Sequence, residues 1–122
     1  MNYKELYKEL ANDLTNLGCC ICDHDFLGYC CQVGSLKAFI FIKPSLSYKE
    51  KYFILAHESG HLFYMTKGKL FKRAKKNRTE EQANWFAIQL LRINGVEVYE
   101  YKNFYSHAKK IVKNRIKSWH EI

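Results

Sequence analysis

Along residues 2–17, apolar side chains return at steps of three and four: Tyr3, Leu6, Tyr7, Leu10, Leu14 and Leu17. That spacing lays one apolar stripe along an α-helix. Gly18 stands where a helix-ending glycine belongs. The rhythm then changes. Across residues 19–43 the short apolar runs "CCIC", "FLGYCCQV" and "KAFIFI" are rich in β-formers and separated by "DHD" and "GS". They predict two or three antiparallel strands, with a turn at Gly34-Ser35 and the single proline, Pro44, closing the last.

Helical spacing resumes at Ser47 and runs to about Lys67. Ser47-Tyr48-Lys49-Glu50 is a capping box, in which the serine hydroxyl accepts from the third amide and the glutamate reaches back. Gly68 marks the exit, and residues 68–78 read as a basic linker or exposed loop. Thr79-Glu80-Glu81-Gln82 is a second capping box, predicted to open a helix that ends near Arg92, before Asn94-Gly95. Its apolar face is Ala83, Phe86, Ala87, Leu90 and Leu91. "VEVYEY" at 96–101 alternates, as a short strand or an extended linker would. Residues 103–120 make a last helix with Phe104, Ala108, Ile111, Val112, Ile116 and Trp119 inward. The expectation is a single α+β domain over 1–122, with a small antiparallel sheet packed beside a helical core.

Composition narrows the class. Apolar residues make up 48% of the 122, enough for a core without disulfide staples. No apolar run approaches the ~18 residues of a membrane span. The amphipathic N-terminus lacks the apolar core of a signal peptide, and five cysteines suit a reducing compartment, so the expected location is the cytoplasm. The formal net charge of +8 is concentrated at 67–78 and 109–117. Such patches attract nucleic acid or acidic partners, although a solvated face is the plainer reading.

Chemistry enters at "HESGH", residues 57–61. Four residues is about one helical turn, or ~6 Å, so His57 and His61 share a face. Two imidazole nitrogens can then reach one ion at about 2.0–2.1 Å. Glu58, a step round the helix, suits a general base that takes a proton from a water activated by the metal. Two surface histidines on a helix would be the bland alternative. Against it stand the apolar flanks Phe53–Ala56 and Leu62-Phe63. Gly60 also counts against it, since an interior helix glycine costs about 1 kcal/mol against Ala and suggests close approach by another segment or room for a substrate.

A catalytic zinc needs a third protein ligand and an open fourth position. Glu80 is the first candidate. Asn84 lies one turn further on, where its amide could support a ligating histidine. Glu81, about 100° away, is the reserve. An acidic residue favoured by the helix dipole is the structural alternative for Glu80.

"HESGH" followed by "EEQANWFAIQLL" resembles the ImmA/IrrE family of zinc metallo-endopeptidases, whose pattern is HExGH and then E-x-x-A-N-x-F-A-x-x-L-L. The second half reads here Glu80, Ala83, Asn84, Phe86, Ala87, Leu90, Leu91, and the likeness covers about residues 1–92. It implies a zincin-like fold with the HExxH helix at its site and one Zn2+ held by His57, His61 and Glu80. Glu58 is then the base and Asn84 the support behind the ligands. It further implies a cytoplasmic endopeptidase of the kind phages and mobile elements use to cut a helix-turn-helix repressor. Ser59 stands where the family usually has Leu, and no proline follows Leu90-Leu91, where "RING" stands instead.

Two other classes stay open at this stage: a non-proteolytic regulator with the peptidase fold, and a basic DNA-associated protein. The cysteines at 19, 20, 22, 30 and 31, with His24 nearby, contain one C-x-x-C, but adjacent strand cysteines face opposite ways. They read as buried strand residues before a second metal site. His107, Tyr64 and Tyr99 are candidates to stabilise developing charge; for His107 a satisfied surface position is the plainer reading.

Overall fold

A computed structural model describes the backbone at residues 2–23, 28–33, 37–66 and 76–120, with side chains described over 2–23, 39–63 and 80–110 and at 113. Helix α1 spans Tyr3–Asn16. Strands β1 (Cys19–Asp23), β2 (Gly28–Val33) and β3 (Lys37–Ile42) follow. Helices α2 (Tyr48–Thr66) and α3 (Lys76–Ile93) come next. One 3-10 turn, Val98–Glu100, then leads straight into α4, Tyr101–His120. The fold is mostly helical with one small sheet. Among the described residues no helix is long and apolar enough to cross a membrane.

The expected all-antiparallel sheet is corrected. The order is β1-β3-β2; β2 pairs antiparallel with β3, as the sequence predicts, but β1 pairs parallel with it. Asp23 and Gly28 both face Ile42, from opposite edges of β3. The chain leaving β1 therefore resumes on the far side of β3 instead of doubling back beside itself. β3, the most apolar run, takes the centre, where both edges are covered. Ile40 and Ile42 face the core while Phe39 and Phe41 stack on the other face, ring centroids 6.4 Å apart.

Helix starts and stops follow local chemistry. The Asn2 side chain accepts from the amides of Lys4 and Glu5 and caps α1. Glu50 N–H donates to Ser47 Oγ at 3.3 Å, the expected half of the capping box, while the serine hydroxyl donates to the Glu50 carboxylate at 3.2 Å. Leu17, placed on the α1 stripe by its spacing, is instead 83% exposed, because the helix ends at Asn16. Thr79 is not a cap: α3 begins at Lys76, since the residues before Thr79 are compatible with helix. The alternating 96–101 segment is neither strand nor linker. Val98 and Tyr99 are exposed, and only Val96 is buried.

Helix α3 ends in a Schellman motif. Gly95 takes φ +77°, its N–H donates to Arg92 O, and Val96 N–H donates to Leu91 O. Buried Val96 joins Leu91 in the core. The stop is thus made by glycine at the place where the family resemblance leads one to look for proline.

Helix α2 is the centre of the molecule. On one side Ile54, Leu55 and Leu62 pack with Leu14 of α1 and with Cys19, Ile40 and Ile42 of the sheet. On the other, Tyr52, Phe53 and Ala56 pack with Ala87 and Leu91 of α3 and Phe104 and Ala108 of α4. Every residue from Tyr52 to Leu62 is buried. A helix buried on all sides shows no single apolar stripe, and this run carries the polar residues of interest.

Candidate metal centre

His57 and Glu58 have no exposed surface, and His61 and Ser59 are buried with them. Burying such groups is costly unless partners satisfy them. Ser59 does this locally, its hydroxyl donating to Ala56 O at 2.8 Å, which accounts for a hydroxyl where a leucine would need nothing. The histidines find their partners on α3. His57 Nδ1 lies 2.7 Å from Asn84 Oδ1. His57 Nε2 lies 2.8 Å from Glu80 Oε2, and His61 Nε2 lies 3.0 Å from the same oxygen. The two Nε2 atoms are 3.1 Å apart.

Three donor atoms thus form a nearly equilateral triangle, from two helices. Four donors arranged tetrahedrally at about 2.0–2.1 Å from Zn2+ stand ~3.3 Å from one another. The triangle is within a few tenths of an ångström of that, so an ion can cap it with little movement. The chemistry of the donors agrees. Asn84 Oδ1 is an acceptor, so the neutral His57 ring carries its proton on Nδ1 and turns a lone pair on Nε2 toward the triangle. Two neutral imidazoles and one carboxylate would leave a divalent ion a net +1, which a neighbouring carboxylate can balance.

His57, His61 and Glu80 could therefore hold a metal ion, and they are the one such group of His, Cys, Asp or Glu among the described residues. Asn84 is placed behind His57, its Oδ1 2.7 Å from the ring Nδ1. Because α3 starts at Lys76, Glu80 lies beyond the first turn, and the helix dipole no longer explains an acid there. Glu81 is exposed. Cys19 is buried and Cys20 exposed, on opposite faces of β1, so the picture of uniformly buried strand cysteines holds for Cys19 and not for Cys20. Burial pushes the Cys19 thiol up to about 11, with Cys20 and Cys22 adding to it.

The remaining candidates lie elsewhere or outside the described residues. His107 packs on Phe53 at 5.8 Å between ring centroids, one helical turn before His57. Tyr99 is exposed on the 3-10 turn, and the Tyr64 side chain is outside the described residues. Of the basic stretches, 67–75 is outside them too, while Lys109, Lys110 and Lys113 are exposed on α4. The sequence leaves Gly60 two readings, close approach by another segment or room for a substrate, and the structure favours the first. The structure names Ala83: a methyl group on Gly60 would stand 2.5 Å from the Ala83 carbonyl oxygen. The signal available beforehand was only that both positions are small.

A buried helix offering two imidazoles and an acid, met by a carboxylate from the next helix, is the donor arrangement of a metallopeptidase. The Peptidase_M78 family model, described as the IrrE N-terminal-like domain, matches residues 23–108. The chain belongs to that family, whose character is metallopeptidase-like and metal-dependent. The match starts at the end of β1 and runs into the first half of α4, to Ala108, further than the motifs alone reach. Comparison with curated proteins and with solved structures gave no match.

Proposed function

We propose that this protein is a zinc-dependent endopeptidase with a zincin-like site that cuts a helix-turn-helix repressor or a similar regulator. The observation that carries the reading is the convergence of His57 Nε2, His61 Nε2 and Glu80 Oε2, with His57 fixed from behind by Asn84. When bound, Zn2+ supplies a Lewis acid for a scissile carbonyl and for water. His57, His61 and Glu80 would hold it. Asn84 keeps the His57 proton on Nδ1 and the ring in line. The Glu58 carboxylate takes a proton from the attacking water and returns it to the amide nitrogen that leaves. Its full burial beside His57 keeps that transfer out of bulk solvent. The regulator as substrate rests on the resemblance of the paired motifs.

The test joins metal content to cleavage. The purified protein should carry about one Zn2+, lost in His61→Ala. Glu58→Gln should keep the metal and cleave a repressor encoded beside it about 10²–10⁴-fold more slowly. Full cleavage by a metal-loaded Glu58→Gln protein would sink the mechanism. A zinc-loaded protein that controls its regulator equally well with or without the Glu58 carboxylate would point to action by binding instead.

A further inference from the structure

Gly60 sits inside the buried run of α2, three residues after His57 and one before His61. Its backbone does not require glycine: the positive-φ glycines among the described residues are Gly18 and Gly95. The reason is space. A methyl group at Gly60 would lie 2.5 Å from Ala83 O, 2.8 Å from Ala83 Cα and 3.0 Å from Ala83 C. These are backbone atoms of a helix, and they cannot swing aside. Relief from 2.5 Å to an ordinary van der Waals contact moves α3 by roughly 1 Å.

Ala83 lies between Glu80 and Asn84 on α3, so such a movement carries both. The donor edges from Glu80 to His57 and His61 are 2.8 and 3.0 Å. Lengthened by about 1 Å they would overshoot the ~3.3 Å spacing of tetrahedral zinc donors. The His57–Asn84 contact of 2.7 Å would part in the same motion. On the other flank of this seam Phe63 of α2 stacks on Phe86 of α3, centroids 4.8 Å apart, so the helices are held on both sides of the glycine. We infer that Gly60 is a positioning residue: its missing side chain sets the α2–α3 spacing at which Glu80 reaches both histidines and Asn84 reaches His57 Nδ1. The metal half of this inference rests on the site reading above; the His57–Asn84 half does not.

The experiment compares Gly60→Ala with Leu14→Ala, which removes a buried side chain on the opposite side of α2. Three quantities are read: the His57 Nδ1–H signal of the metal-free protein by nitrogen-15 NMR, Zn2+ affinity by chelator competition, and the visible spectrum of the Co2+ form. Gly60→Ala should lose the His57 signal, bind Zn2+ about 10–100-fold more weakly and change the Co2+ spectrum. Leu14→Ala should melt earlier with all three unchanged. Wild-type values in Gly60→Ala would overturn the inference. If that variant does not fold, Ala83→Ser crowds the same fully buried seam from α3; it should shift the same readouts by less, and unchanged values would again overturn the inference. A wild-type protein that binds no Zn2+ sinks the metal site, while the His57 signal still decides the spacing role.

Discussion

From Tyr52 to Ala56, α2 buries apolar side chains; from His57 to His61 it buries two imidazoles, a carboxyl group, a hydroxyl and a glycine. The first half is held by many interchangeable contacts from α1, α3, α4 and the sheet. Each large apolar side chain there contributes roughly 1.5–3 kcal/mol, wherever its neighbours come from. The histidines are held by particular atoms, Asn84 Oδ1 and Glu80 Oε2, at particular distances. One half makes the helix stable. The other uses that stability to keep polar groups where they would not otherwise stay. Changes in the first half should cost folding and spare metal binding, and changes around the histidines should do the reverse.

The sharpest break is Phe104→Ala. Phe104 is fully buried and meets Phe53 edge-on at 5.9 Å. Denaturant titration should show a loss of about 3–5 kcal/mol, with Zn2+ affinity of the folded protein unchanged; a matching loss of affinity would erase the contrast. Asn84→Ala comes next. It should weaken Zn2+ binding about 10–100-fold, measured by chelator competition, and an unaltered affinity would leave the His57 proton to some other partner.

Gly95→Ala is smaller and purely conformational. Gly95 holds φ +77° with open space around its Cα, so a side chain costs about 1–2 kcal/mol in backbone strain and nothing in contacts. Thermal melting should register it while metal affinity stays the same.

The smallest effect is a pH dependence. Burial against Phe53 pushes His107 below its ordinary 6.5; Glu50 opposes this, and Lys110 and Lys49 reinforce it. The unfolded chain then binds that proton more readily than the folded one. The contribution of His107 is complete above the unfolded value and is lost as pH falls through it toward the lower folded value. His107→Gln should flatten that part of the stability–pH curve relative to wild type, and parallel curves would count against it.

How well each feature could be read in the sequence follows the same division. The α1 stripe, the serine cap of α2 and the glycine stop of α3 are local, and chain spacing reveals them. His57 and His61 are one turn apart, so their pairing is local too. Glu80 and Asn84 required a second motif, because nothing in a helix period says which face of α3 meets α2. Two local signals mislead: Thr79 looks like a cap, but the residues before it are themselves compatible with helix and α3 begins earlier, and 96–101 alternates without joining the sheet. The parallel placement of β1 could not be read at all, since register between strands is a property of the assembled core.

Two donors of the triangle, His61 and Glu80, are 19 positions apart in the chain. An ion bound across them would be a cross-link that closes the loop from α2 to α3. Because its donors come together only in the folded chain, such an ion stabilises that state alone, by about 1.4 kcal/mol for each tenfold excess of free ion over its dissociation constant. Unlike a disulfide, this bond makes and breaks with metal supply. The same three atoms proposed to serve hydrolysis would then also couple the stability of the folded chain to the zinc around it.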